Sequence, residues 1–132
     1  MKKFVFACVH NAGRSQMAAA YFNALADKNR AFAISAGSNP AKVVHPEVLI
    51  VMQEVGIDLS NAVPQLLTEE LARDADSLIT MGCGDKCPYV PGVKRADWAL
   101  PDPKGQSIDV VRQTRDAVKA LVEQLIAERQ LG

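Results

Sequence analysis

The sequence predicts an α/β protein: a four-stranded parallel sheet with helices on both faces, in three layers. Two observations predict it. Short apolar runs of strand character alternate with longer segments of helical period along the whole chain. With 132 residues, 48% apolar and 23% charged, the chain has the size and composition of one globular core. Phe4-Val5-Phe6-Ala7 is the first strand. Residues 15–29 read as a helix, with Met17, Tyr21 and Leu25 recurring every four residues. Ala31-Phe32-Ala33-Ile34-Ser35-Ala36 is a second buried strand, closed by Gly37-Ser38-Asn39-Pro40. His45-Pro46 opens a helix with Val48, Leu49, Met52 and Val55 inward, and Gly56 stops it. Thr68 caps a short helix whose Glu69 and Glu70 sit at its positive end. Ser77-Leu78-Ile79-Thr80-Met81 is a third strand, and Lys94-Arg95-Ala96-Asp97-Trp98 a shorter fourth. Ser107 caps a last helix with the stripe Val111, Val118, Leu121, Val122 and Leu125. Residues 1–132 read as one domain, without repeat or linker.

Composition narrows the function. The net charge is zero, which points to neither nucleic acid nor an anionic membrane surface as partner. No apolar stretch has the length of a membrane span, and the apolar start is too short for a secretion signal. A cytoplasmic monomer is the expectation. Three cysteines are an odd number for a disulfide framework, so reactive or redox use is favoured.

The chemistry concentrates in Cys8-Val9-His10-Asn11-Ala12-Gly13-Arg14-Ser15, between the first strand and the Ala-rich helix. A strand-to-helix turn points the unpaired N–H groups of the helix start at one spot, an anion site. The helix dipole favours a thiolate there by only about 0.3–1 kcal/mol. A reactive sulfur therefore needs loop N–H donors, the Ser15 hydroxyl and the field of Arg14, all present in the same turn. Gly13 lets the backbone curl, and Asn11 tolerates left-handed geometry. Arg14 presents two parallel N–H groups to two oxygens of an oxyanion, which lysine does not. Against this stands the plain reading of a strand-end cysteine as a small hydrophobe. The succession of strand, thiol, turn, Arg-Ser and helix favours the anion site. In parallel sheets ligands sit beyond the carboxyl ends of the strands. Cys8, Ser35, Cys83 and Asp102 follow or end the four strands and so share that edge.

Cys8-x5-Arg14-Ser15 followed by Gln16-Met17-Ala18 resembles the arsenate reductases built on the low-molecular-weight tyrosine phosphatase fold, over nearly the whole chain. The resemblance implies Cys8 as nucleophile, with residues 9–15 and the Arg14 guanidinium holding the oxyanion. Gly82-Cys83-Gly84-Asp85-Lys86-Cys87-Pro88 supplies a second thiol pair. On residues alone it can be a relay, a zinc site or two incidental thiols. Zinc needs four ligands, or three and a water, and the whole chain has only two histidines and three cysteines, so no metal is expected. With the family, the relay is favoured: Cys8 attacks arsenate, Cys83 attacks the adduct and releases arsenite, and Cys87 moves the disulfide outward to Cys83 and Cys87. No bound cofactor is expected, but an external dithiol, thioredoxin, is required; a small thiol with a glutaredoxin-like partner is the alternative.

Asp102 in Leu100-Pro101-Asp102-Pro103-Lys104-Gly105 matches the family's Asp-Pro loop and is the candidate proton donor for the oxygen expelled. Its competing reading is a turn aspartate. Asp97 is the nearby alternative acid. Ser35 resembles the family serine that hydrogen-bonds the loop asparagine, here Asn11. Ala19 stands where potassium-binding members carry an acid, and cannot ligate. His10 either modulates Cys8 or sits exposed, and His45 starts a helix. The rival activity is a tyrosine phosphatase using Cys8, Arg14 and Asp102, and a third reading is an idle oxyanion-binding module. Gln16, Gly13 and Lys104 depart from the phosphatase pattern, and only Tyr21, Phe22, Tyr89 and Trp98 lie near the site segments to wall a phosphotyrosine slot.

Overall fold

The structure is a computed structural model in which residues 1–82 and 90–132 are described. Its elements run β1 (Lys2–Cys8), α1 (Arg14–Leu25), β2 (Ala31–Gly37), α2 (Pro46–Gln53), α3 (Glu69–Ala72), β3 (Ser77–Thr80), β4 (Lys94–Asp97) and α4 (Ile108–Glu128). The strands form one parallel sheet in the order β2-β1-β3-β4. The chain leaves β1 toward β2 on one side and returns to β3 on the other. The switch point is therefore the carboxyl end of β1, where open α/β sheets bind ligands. Cys8 is the residue that ends β1.

Alternation along β1 divides the core. Phe4, Phe6 and Cys8 face a cluster that includes Met17 and Phe22 of α1, Val48 and Met52 of α2, and Val118 and Val122 of α4. Val5 and Ala7 face the opposite side, with Leu67, Ala72, Leu78 and Val90. The long helices thus share one face, while α3 and extended chain cover the other. The Phe22 ring lies 4.8 Å from that of Phe4 and 6.0 Å from that of Phe6. Burying such a ring stabilises by roughly 1.5–3 kcal/mol. The caps are as expected: Thr68 accepts from the Leu71 N–H, and Ser107 from that of Val110. Among the described residues, no helix is long and apolar enough to cross a membrane.

Several boundaries differ from the periodic reading. The first helix ends at Leu25 rather than near residue 29, because Ala26 turns extended and Asp27 organises a turn. The Asp27 carboxylate accepts from the Asn29 N–H, and its carbonyl accepts from those of Arg30 and Ala31. Leu25 is consequently exposed, as is Val55 beyond the end of α2, whose buried face is Val48, Val51 and Met52. On α4, Leu121 and Leu125 flank a seam of Val111, Thr114, Val118, Val122 and Ile126. Ser35 lies opposite Phe6, two residues inside β2, which runs on to Gly37.

Gly37 has a steric reason to be glycine. A Cβ there would lie 2.6 Å from the Val9 carbonyl oxygen and 2.9 Å from the Asn11 nitrogen, both main-chain atoms of the thiol loop. Gly37→Ala is therefore expected to destabilise by about 1–3 kcal/mol, the cost of overpacking against atoms that cannot step aside. Thermal melting of the purified variant checks this; an unchanged melting temperature would mean that the loop yields freely.

Candidate active site

The loop between β1 and α1 is held from outside by its carbonyls. Cys8, Val9, His10 and Ala12 accept hydrogen bonds from the N–H groups of Ser38, Asn39, Ala41 and His45, at 2.8–3.2 Å. The N–H groups of residues 9–13 donate to no main-chain carbonyl among the described residues. With its acceptors consumed on one side, the loop keeps its donors for the other, as an anion cradle requires. Asn11, fully buried, takes φ +50, the left-handed turn that bends the loop.

Cys8 is buried, with Sγ 2.9 Å from the Ser15 hydroxyl. That hydroxyl accepts from the Asn11 amide nitrogen at 2.7 Å. A thiolate only accepts, so with sulfur ionised the Ser15 proton points at Cys8. Arg14 has a buried side chain whose Nη1 donates to the Leu100 carbonyl at 2.9 Å. Its Nη2 stands 3.8 Å from Asp102 Oδ2. A side chain at Gly82 would place Cβ 2.8 Å from Nη1, so a bare α-carbon flanks the guanidinium. The arginine is thus fixed between the ends of two loops.

Asp102 sits in a turn and beside Arg14. One carboxylate oxygen accepts from the Lys104 N–H as a turn residue does, and the other faces Arg14. The rival, Asp97, is engaged elsewhere: its carboxylate accepts from the Thr80 hydroxyl at 2.6 Å and the Gly82 N–H at 3.4 Å. Cys83 and Cys87 lie outside the described residues. Ser35 does not hold Asn11. It offers its carbonyl to the Gln65 side chain, and Asn11 Oδ1 accepts instead from the Gln65 N–H and from Gln16. Gln65 escaped sequence reading because its segment, joined to β2 by an isolated Gly37–Leu66 bridge, carries no strand signal. His10 is half-buried, its Nδ1 3.2 Å from the Asn39 carbonyl. His45, at the start of α2, is held below its ordinary titration range by burial, against the opposing pull of Asp102 and Glu47.

Of the aromatic candidates, Tyr21 and Phe22 are buried on α1, and Trp98 packs 5.5 Å from Phe6. Tyr89 lies outside the described residues. No cluster of three His, Cys, Asp or Glu groups suited to a metal ion occurs among the described residues. A cavity of about 320 Å³ between β4 and α4, lined by Ile79, Trp98 and Arg129, contains none of these loop residues.

Residues 3–131 match the model of the low molecular weight phosphotyrosine protein phosphatase family. The chain belongs to that family. Within it, the chain is 39% identical to the glutaredoxin arsenate reductase of Synechocystis, over 97% of this chain and 98% of that one. It is 31% identical to an arsenate reductase of Staphylococcus epidermidis, over 92% and 94%. Among solved structures, an arsenate reductase in a phosphate-binding state superposes with a TM-score of 0.83 at 37% identity, covering 97% of this chain and 98% of that one. The thioredoxin-dependent arsenate reductase of Corynebacterium glutamicum superposes with a TM-score of 0.84 at 38% identity. It covers 99% of this chain, which spans 63% of that longer protein. These likenesses bear out the expected family and the expected parallel α/β architecture.

Proposed function

We propose that this protein is an arsenate reductase that uses Cys8 as nucleophile and returns to its reduced state through an external dithiol. The observation that carries the proposal is the Ser15 hydroxyl 2.9 Å from Cys8 Sγ, in a loop that also fixes the arginine fork. Its relatives that reduce arsenate share the fold over nearly their full length, which supports the reaction class. The loop amides and Arg14 bind the tetrahedral oxyanion, and the Cys8 thiolate attacks arsenic. Asp102, beside Arg14 and exposed, gives a proton to the departing oxygen, which leaves as water. Cys83 then attacks Cys8 Sγ. The sulfur–arsenic bond breaks with its electron pair going to arsenic, arsenite leaves, and a disulfide joins Cys8 to Cys83. Cys87 attacks Cys83, frees the Cys8 thiolate, and leaves a Cys83–Cys87 disulfide for a thioredoxin-type dithiol to reduce.

A tyrosine phosphatase would use the same Cys8, Arg14 and Asp102. The buried placement of Tyr21 and Phe22 supports the reductase, because these rings are unavailable to wall an aryl slot. We assign the chain to the cytoplasm, where reducing dithiols are maintained.

Arsenate-dependent NADPH oxidation, measured with thioredoxin and its reductase and separately with glutathione, glutaredoxin and glutathione reductase, tests the activity and names the reductant. Cys87→Ser is expected to release one arsenite per enzyme and then stop in the thioredoxin assay. Sustained turnover of that variant with thioredoxin would remove Cys87 from the cycle, and aryl phosphate hydrolysis without arsenite would replace the reductase with the phosphatase.

A further inference from the structure

The bond from Ser15 to Cys8 depends on a residue that touches neither the sulfur nor the oxyanion. Asn11 is fully buried at φ +50, a left-handed state that asparagine tolerates better than most residues. Its side chain is gripped at both ends. Its side-chain nitrogen donates to the Ser15 hydroxyl. Its side-chain oxygen accepts from the Gln65 N–H at 3.0 Å and from Gln16 Nε2 at 3.2 Å, and its main-chain carbonyl accepts from the same Gln16 Nε2 at 3.1 Å. Gln16 is buried in the third position of α1, and Gly13, the residue that caps the helix, supplies no side-chain hydrogen bond. The glutamine amide reaches back across the turn, as the third residue of a capping box does, but grips Asn11 instead of the cap.

The geometry points to Gln16 as a positioning residue of the reacting thiol: by gripping both oxygens of Asn11 it orients the chain of donors Gln16, Asn11, Ser15 that ends on Cys8. Each bond in that chain donates toward the sulfur. Each donor is polarised by the one behind it, which favours the ionised thiol more than the Ser15 hydroxyl alone does. Gln65 anchors the other side of Asn11 through its main chain, so its bond survives substitution. The side-chain function at position 16 does not. This inference deepens the proposed function, since it rests on Cys8 being the attacking thiol.

The test uses the full chain with Cys83 and Cys87 replaced by serine, leaving Cys8 as the one thiol. Its alkylation by iodoacetamide is measured near neutral pH and at a pH where any thiol is ionised, with the ratio of the two rates as readout. Changes in access to the buried sulfur cancel in that ratio. Arg14, Asp102, His10 and His45, the charged or titratable groups around the loop, are left in place. Gln16→Met fills the volume without the amide. It is expected to lower the ratio about five- to tenfold, and Gln16→Glu, which sets a carboxylate against the two Asn11 oxygens, to lower it further. In an Asn11→Ala background the methionine change should have no further effect. A ratio unmoved by Gln16→Met, whatever the melting temperature does, overturns the assignment while leaving the reductase intact. A parent protein whose ratio is no higher than that of a free thiol overturns both together.

Discussion

Cys8→Ser is expected to abolish arsenate reduction, by at least about 10⁴-fold, while the fold and the capacity to bind oxyanions remain. Two separate losses produce this. The serine hydroxyl stays protonated where a thiol ionises, so the nucleophile is weakened. More decisively, arsenate reduction consumes two electrons, and in the proposed cycle Cys8 and Cys83 supply them by becoming a disulfide. An alkoxide can bond to arsenic but cannot be oxidised in that way, so even a slow attack leads to no arsenite. The substitution itself is mild. The Ser15 hydroxyl 2.9 Å from Sγ is available to partner the new hydroxyl, which keeps the buried position satisfied. The hydrogen bonds from the Ser38, Asn39, Ala41 and His45 N–H groups to the loop carbonyls involve main-chain atoms only and are unaffected. Phosphate binding by calorimetry should therefore stay within a few-fold of wild type as arsenite production vanishes. Residual reduction in this variant would place the first sulfur–arsenic bond at another thiol.

The thiol loop was legible in the sequence because its signals are local. A strand followed by a thiol, a left-handed asparagine, an Arg-Ser pair and a helix are neighbours in the chain, and Cys8, Asn11, Arg14 and Ser15 all stand where that reading puts them. The helix caps were legible for the same reason. What could not be read is what closes around the loop from a distance. Gln65 is 54 positions from Asn11, and Leu100, whose carbonyl pins Arg14, is 86 positions from it. Main-chain groups make both contacts, so no side-chain type advertises them. For Ser35 the family resemblance implies a bond to Asn11, but register places it inside β2 with its carbonyl turned to Gln65. The end of the first helix was missed because an Asx turn at Asp27 overrides the helical propensity of the residues after Leu25.

Arg14→Lys separates what charge contributes from what the fork contributes. A lysine keeps the positive charge but has one ammonium in place of two parallel donor directions. In the native site Nη1 is spent on the Leu100 carbonyl at 2.9 Å, and the guanidinium packs against Gly82 with no room for a side chain there. The remaining N–H groups are thereby aimed without any change at the moment of reaction, which is the condition for stabilising developing charge. An ammonium in this pocket can bond Leu100 or turn to the oxyanion, and either choice leaves the other contact unmade. The expected result is a fall in kcat/KM of about 10²–10³-fold, with kcat carrying more of it than KM, since the fork matters most as oxygen leaves. Steady-state kinetics with saturating reductant read the split. The melting temperature should fall too, because Arg14 joins α1 to the segment holding Leu100 across the sheet edge. A variant within about threefold of wild type in kcat/KM would show that the loop amides hold the oxyanion unaided. Arg14 would then be a structural pin between Leu100 and Gly82, and the positive field at Cys8, not the geometry of two donors, would be what the chemistry requires.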